Sequence, residues 1–186
     1  MSQALVTQVK GSMFVAFVRS IKADKSGMCN SLLTDEAREV ARSLILASKW
    51  YPFDVYKSCF EAVCRVYIKS DPEAMRQWGR TYGEQTMTSI YGMVFAKTHA
   101  LAGMDAFRDI AKNVYDSIEI ESEMLSDNEI EIRISDFDPD FEEWYLVGQG
   151  WIERTLELVI KKDISSRIVE RSWLGAPQTI YRMKWS

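Results

Sequence analysis

Histidine is all but missing from this sequence, with His99 the single instance in 186 residues. Any triad, general base or metal set that needs an imidazole would have to converge on that residue, so an enzyme is not expected. Cysteine is sparse as well. Cys29, Cys59 and Cys64 are odd in number, and the last two stand at i and i+5 in a helical pattern, which turns their side chains apart. A disulfide framework is excluded and a reducing, cytoplasmic setting is expected. The C-x2-C spacing of metal ligands is lacking, so no metal site is expected, and each thiol reads as a small buried apolar group rather than an acyl carrier.

Positive charge is in deficit, with 23 Lys and Arg against 27 Asp and Glu, a net charge of −4, and no cationic stripe. Binding to nucleic acid through phosphates is not expected. Long hydrophobic runs are also lacking. The apolar stretch "SMFVAFV" lies between Lys10 and Arg19, is too short for a membrane span and has no small-residue cleavage site. Phosphate-loop and Gly-x-Gly-x-x-Gly patterns are missing, since Gly148-Gln149-Gly150 falls inside a helical pattern.

What is abundant is aromatic surface, 12% of the chain with six tryptophans. Rings of this size bury on the order of 150–250 Å² each and build a core, a pocket or an interface. The length suits one domain, residues 1–186, in which 1–115 is a helical part and 116–186 alternates strands with a helix. Val6, Val9, Met13, Phe17 and Ile21 recur at helical steps and predict a helix over Gln3–Ala23. Thr34 and Asp35 cap a second helix, and a third begins after Pro52. Ser70, Pro72 and Glu73 form a helix start, and the helix is predicted through Gly79, Gly83 and Gly92 to Leu101. Gly103 reads as a stop before another helix, Met104–Tyr115. Each glycine within a helix costs about 1 kcal/mol relative to alanine, so their presence implies that another backbone or a ligand comes close.

At Asp116 the period changes from helical to alternating. Ile118 and Ile120, a turn at Ser126-Asp127-Asn128, then Ile130, Ile132 and Ile134 predict a hairpin with one buried face. Asp138 and Pro139 open a helix running to Ile160, and a second strand pair covers Ile164–Leu174 and Thr179–Trp185. The alternating acids Asp136, Asp138, Asp140 and Glu142 resemble a calcium loop but lack its glycine and its closing glutamate, where Phe141 and Val147 stand. They read instead as acids at a helix N-terminus.

The segments "VKGSMFVAFVRSI" (9–21), "WYPFDVYKSCFEAV" (50–63), "WGRTYGEQTMTSIYG" (78–92) and "FEEWYLVGQGWIERTLELV" (141–159) resemble a family of uncharacterised bacterial proteins of about this length. The final helix and hairpin are also similar to the wider superfamily of haem nitric-oxide-binding domains, 4-vinyl-reductase domains and Golgi transport-protein-particle subunits. The resemblance implies an α+β fold, with an N-terminal helical layer packed on a four-stranded antiparallel sheet built from two hairpins that a helix separates. It also implies an apolar cavity, which relatives use for haem, for aromatic compounds or for an acyl chain. Haem sensors ligate iron through a mid-chain histidine, where His99 stands here, but they also hold the propionates with a Tyr-x-Ser-x-Arg motif. Tyr181-Arg182-Met183-Lys184-Trp185 lacks that serine and arginine, so no cofactor is expected and His99 is read as structural or surface.

The aromatic set Trp144, Tyr145, Trp151, Trp173, Tyr181 and Trp185 falls on the last helix and hairpin. The resulting expectation is a non-catalytic sensory or regulatory domain that binds a small apolar or aromatic ligand in an internal cavity and signals through a protein partner. Trp78, Tyr82, Trp144, Gly148, Trp151 and Trp173 are the expected lining. An alternative is a ligand-free interaction or adaptor module, a homodimer or complex subunit. A third reading is a haem-based gas sensor using His99.

Overall fold

The computed structural model describes residues 6–90 and 99–186, and the side chains of 86–90 lie outside the description. The predicted first helix divides. Gln8–Lys10 forms strand β1, Gly11–Met13 a short 3-10 turn, and only Val15–Ala23 is helical (α1). Two local facts explain the break. Val6, Thr7 and Val9 are β-branched and suit a strand. A side chain at Gly11 would meet Leu46 O at 2.3 Å, so the chain passes the 43–49 loop backbone to backbone, and Gly11 N donates to Lys49 O at 2.9 Å. β1 pairs antiparallel with β2 (Trp50–Pro52), and Val9 also bridges to Tyr115.

Short helix α2 spans Met28–Leu32, and α3 spans Asp35–Arg42, where Thr34 accepts from Ala37 N at 3.2 Å as a cap residue should. Helix α4, Phe53–Val63, runs on into a π-turn, Cys64–Ile68, closed by two successive left-handed residues, Lys69 (φ 55°) and Ser70 (φ 53°). Helix α5 covers Pro72–Ile90. Its cap is Asp71, whose carboxylate accepts from Ala74 N at 2.7 Å, and not Ser70, whose left-handed backbone removes it from that position. Residues 91–98, Gly92 among them, lie outside the described residues.

Helix α6 spans Ala100–Val114 and runs straight through Gly103, the expected stop. That glycine serves packing instead, since a Cβ there would lie 3.2 Å from Val159. Strands β3 (Glu119–Ser126), β4 (Glu129–Ser135), β5 (Ile164–Glu170) and β6 (Thr179–Trp185) form one antiparallel sheet in the order β3-β4-β6-β5. The expected α+β architecture is therefore present. The inner face carries Ile120, Ile130, Ile132, Ile134, Tyr181 and Met183, all buried. Between α5 and this sheet runs α7, Glu142–Ile160, with buried residues on every side. It starts at Phe141 without a side-chain cap. Asp138, the expected cap, instead receives Lys57 Nζ at 2.7 Å and the Asp140 amide at 3.0 Å. Among the described residues, no helix is long and apolar enough to cross a membrane.

Candidate functional site

The contact between α5 and α7 is made by backbone. A side chain at Gly79 would lie 1.9 Å from Val147 O, one at Gly150 would lie 1.8 Å from Arg76 O, and one at Gly83 would lie 2.2 Å from the Trp151 ring. The close approach implied by the helix glycines is thus a second helix at these three positions. Beside it stands an ionic lattice. Glu153 on α7 is fully buried and accepts from Arg76 at 2.7 Å, from Arg80 at 3.0 Å and from the Ser166 hydroxyl, which in turn accepts from Gln149 at 2.6 Å. Arg80 also holds Glu157 at 2.8 Å. A buried carboxylate persists only when partnered in this way.

Where glycine gives way to rings, the layers part slightly and enclose a chamber of about 20 Å³. Trp78 and Tyr82 line it from α5, and Trp144, Val147, Gly148 and Trp151 from α7. The remaining wall comes from the N-terminal layer, through Met13, Phe17, Tyr56 and Phe60. Five of the six expected lining residues therefore stand together. Trp173 does not join them. The 3-10 turn after β5 places it against Tyr145, with the rings stacked at 5.4 Å, away from the chamber. A Cβ at Gly148 would meet Tyr181 Oη only at 3.8 Å, so this glycine leaves room that the packing of α7 does not require.

The N-terminal wall is what sequence reasoning missed. Phe17, Tyr56 and Phe60 pack edge to face or tilted, with centroids 4.9–6.0 Å apart, and Phe17 meets Trp78 at 5.3 Å. Their signal was the apolar stripe of α1 and α4, which is the same as that of any core. Behind the wall runs a buried polar chain. Trp144 Nε1 donates to Tyr115 Oη at 2.8 Å, and Tyr115 Oη lies 3.2 Å from Tyr56 Oη. Burial pushes both phenols above their ordinary range, so they remain neutral hydrogen-bonding groups. Trp151 Nε1 is buried with no partner among the described residues.

His99 stands elsewhere. It is exposed at the N-cap of α6, at the edge of an open hollow of about 310 Å³ shared with Met124, Asp127, Ile160 and Trp185. Cys29, Cys59 and Cys64 are buried free thiols, and burial pushes Cys59 up to about 12, far from reactive. Among the described residues, no cluster of three or more histidine, cysteine or acidic side chains could hold a metal.

No protein-family model and no curated protein sequence matches the chain. Solved structures do. An H-NOX protein from S. oneidensis in the Fe(II)NO ligation state aligns with TM-score 0.67 and 13% identity, over 95% of this chain and 99% of its own. An Fe(II) unliganded H-NOX protein from K. algicida gives 0.65 and 12%, over 95% and 96%. A single-site mutant of T. Tengcongensis H-NOX gives 0.63 and 18%, over 95% and 97%. The chain has the H-NOX fold, as the resemblance to the haem nitric-oxide-binding superfamily implies.

These likenesses correct the expectation of no cofactor. Several proteins that share the fold are characterised by the state of their iron or by distortion of their haem. The chamber as packed does not fit that group. Its 20 Å³ admits a molecule of about one water's size, and His99 is not among the lining residues.

Proposed function

We propose that this chain is a non-catalytic sensory domain, in which occupancy between the helical layer and α7 changes how the two pack and a partner protein reads the change. The fold likeness over 95% of the chain carries this reading. The ring-lined wall supports it, because aromatic side chains can shift between rotamers while the glycine contact beside them holds α5 and α7 in register. A ligand moves such an equilibrium only by its difference in affinity for the two arrangements. Haem is the group to which the fold points, and His99 is the only imidazole that could ligate its iron. A second reading, a small apolar molecule with no macrocycle, is favoured by the size and apolar lining of the chamber.

One experiment addresses both. The chain is purified from cells, incubated with hemin, and followed by visible spectroscopy and native mass spectrometry. A Soret band that His99→Ala abolishes assigns the sensor to haem, whereas a bound small molecule without that band assigns it to the chamber. A folded protein that shows neither overturns the sensory reading and leaves the adaptor.

A further inference from the structure

Trp78 belongs to two hollows at once, and no other lining residue is shared between them. On its inner side it closes the chamber with Phe17 and Phe60, whose rings lie 5.3 and 5.7 Å away. On its outer side it borders an open groove of about 560 Å³ with Ser20, Ala23, Val63, Tyr67 and Ala74.

We propose that Trp78 is the gate between the groove and the chamber, and that its indole limits entry to uncharged molecules of one or two heavy atoms. This rests on the reading of the chamber as a ligand site. Among the chamber residues, only Trp78 and Tyr82 are half-buried; all the others are buried. Tyr82 lies edge-on to Trp151 at 5.7 Å and lines neither the groove nor the open hollows of about 310–390 Å³ among the described residues. From the groove, the way into the chamber therefore crosses the Trp78 ring. Its backbone cannot give way, because the adjacent Gly79 presses on Val147 O. Opening is then a rotamer change of one side chain into the groove, where the small side chains Ser20, Ala23 and Ala74 leave space for it. Such swings take picoseconds to nanoseconds where a ring is partly exposed.

The test labels all six tryptophans of the full chain with 5-fluorotryptophan, assigns them by single Trp→Phe variants, and uses dissolved dioxygen under pressure as a paramagnetic probe. The quantity read is the oxygen-induced relaxation of Trp144 and Trp151 relative to Trp185, which lies outside the chamber. Trp78→Ala is expected to raise that ratio several-fold. Ala74→Phe, which fills the groove from its exposed rim and pins the Trp78 ring from its outer side, is expected to lower it. Ratios unchanged in both variants overturn the gate. If Trp78→Ala does not fold, Ala74→Phe decides alone. A gated ratio in a protein that binds neither haem nor a small molecule keeps the gate and sinks the sensory reading; a bound ligand with ungated ratios does the reverse.

Discussion

Two neighbouring stretches of the same helix pair solve opposite problems. Along Gly79, Gly83 and Gly150, α5 and α7 meet at a distance no side chain tolerates, and Glu153 with Arg76 and Arg80 fixes the register beside them. About a third of a turn round α7 from Gly150, Trp144 and Trp151 hold the N-terminal layer off with rings. Backbone contact is hard, because its repulsion rises within tenths of an ångström. Ring contact is soft, because χ angles offer alternative minima. A domain that must both stay folded and respond needs the two side by side, and the difference teaches where movement can occur.

Breaking the hard contact has the largest expected effect. Gly150→Ala drives a Cβ into Arg76 O and is expected to cost about 3 kcal/mol or more, read from the urea midpoint. A midpoint close to wild type would show that α5 and α7 can separate freely. Next is the lattice. Glu153→Gln leaves Arg76 and Arg80 facing an amide in a buried site and is expected to lose about 3 kcal/mol. The soft wall should yield less. Phe17→Leu is expected to cost roughly 1.5 kcal/mol or below, since neighbouring rings can close the gap; a larger loss would make the chamber wall as rigid as the glycine contact.

The smallest effect is expected on the outer sheet face, remote from both regions. The Arg182 hydrogen bond, opposed by burial and aided by Arg133, holds the Glu131 carboxyl below the usual carboxylate range. A depressed pKa stabilises the fold above the unfolded value, and that share is lost as pH falls through the folded value. Stability followed from pH 7 downward should therefore fall below about pH 4.3 less steeply in Glu131→Gln than in wild type. Parallel curves would remove Glu131 from the acid transition.

The sheet was legible because Ile118 to Ile134 and Tyr181 to Trp185 alternate strictly, and a period of two has one structural meaning. The N-terminus was not. Val6, Val9 and Met13 satisfy a helical spacing, yet the pairing of β1 with β2 and the approach at Gly11 are long-range facts that no local window contains. Ser70 lost the cap to Asp71 through two left-handed residues that composition does not announce. For the candidate site, glycine spacing pointed to close approach at Gly79, Gly83 and Gly150, while Phe17, Tyr56 and Phe60 stayed hidden among ordinary core positions. Trp173 was misplaced because a 3-10 turn, set by Gly175 at φ 93°, redirects it. The cofactor expectation failed for a different reason: a missing motif describes how one group is held, and the fold outlives its motifs.

Residues 7–9 carry one more consequence. Thr7 N and Oγ1 donate to the Asp116 carboxylate at 2.9 and 2.5 Å, Phe53 N donates to Thr7 O at 2.8 Å, and Val9 bridges to Tyr115. During synthesis this early segment meets β2 and Phe53 first and must wait for Tyr115 and Asp116, made more than a hundred positions later. The bundle therefore cannot be sealed on the ribosome until the junction at 115–116 has left the exit tunnel, and until then the first strand is held on one side alone, by β2 and Phe53.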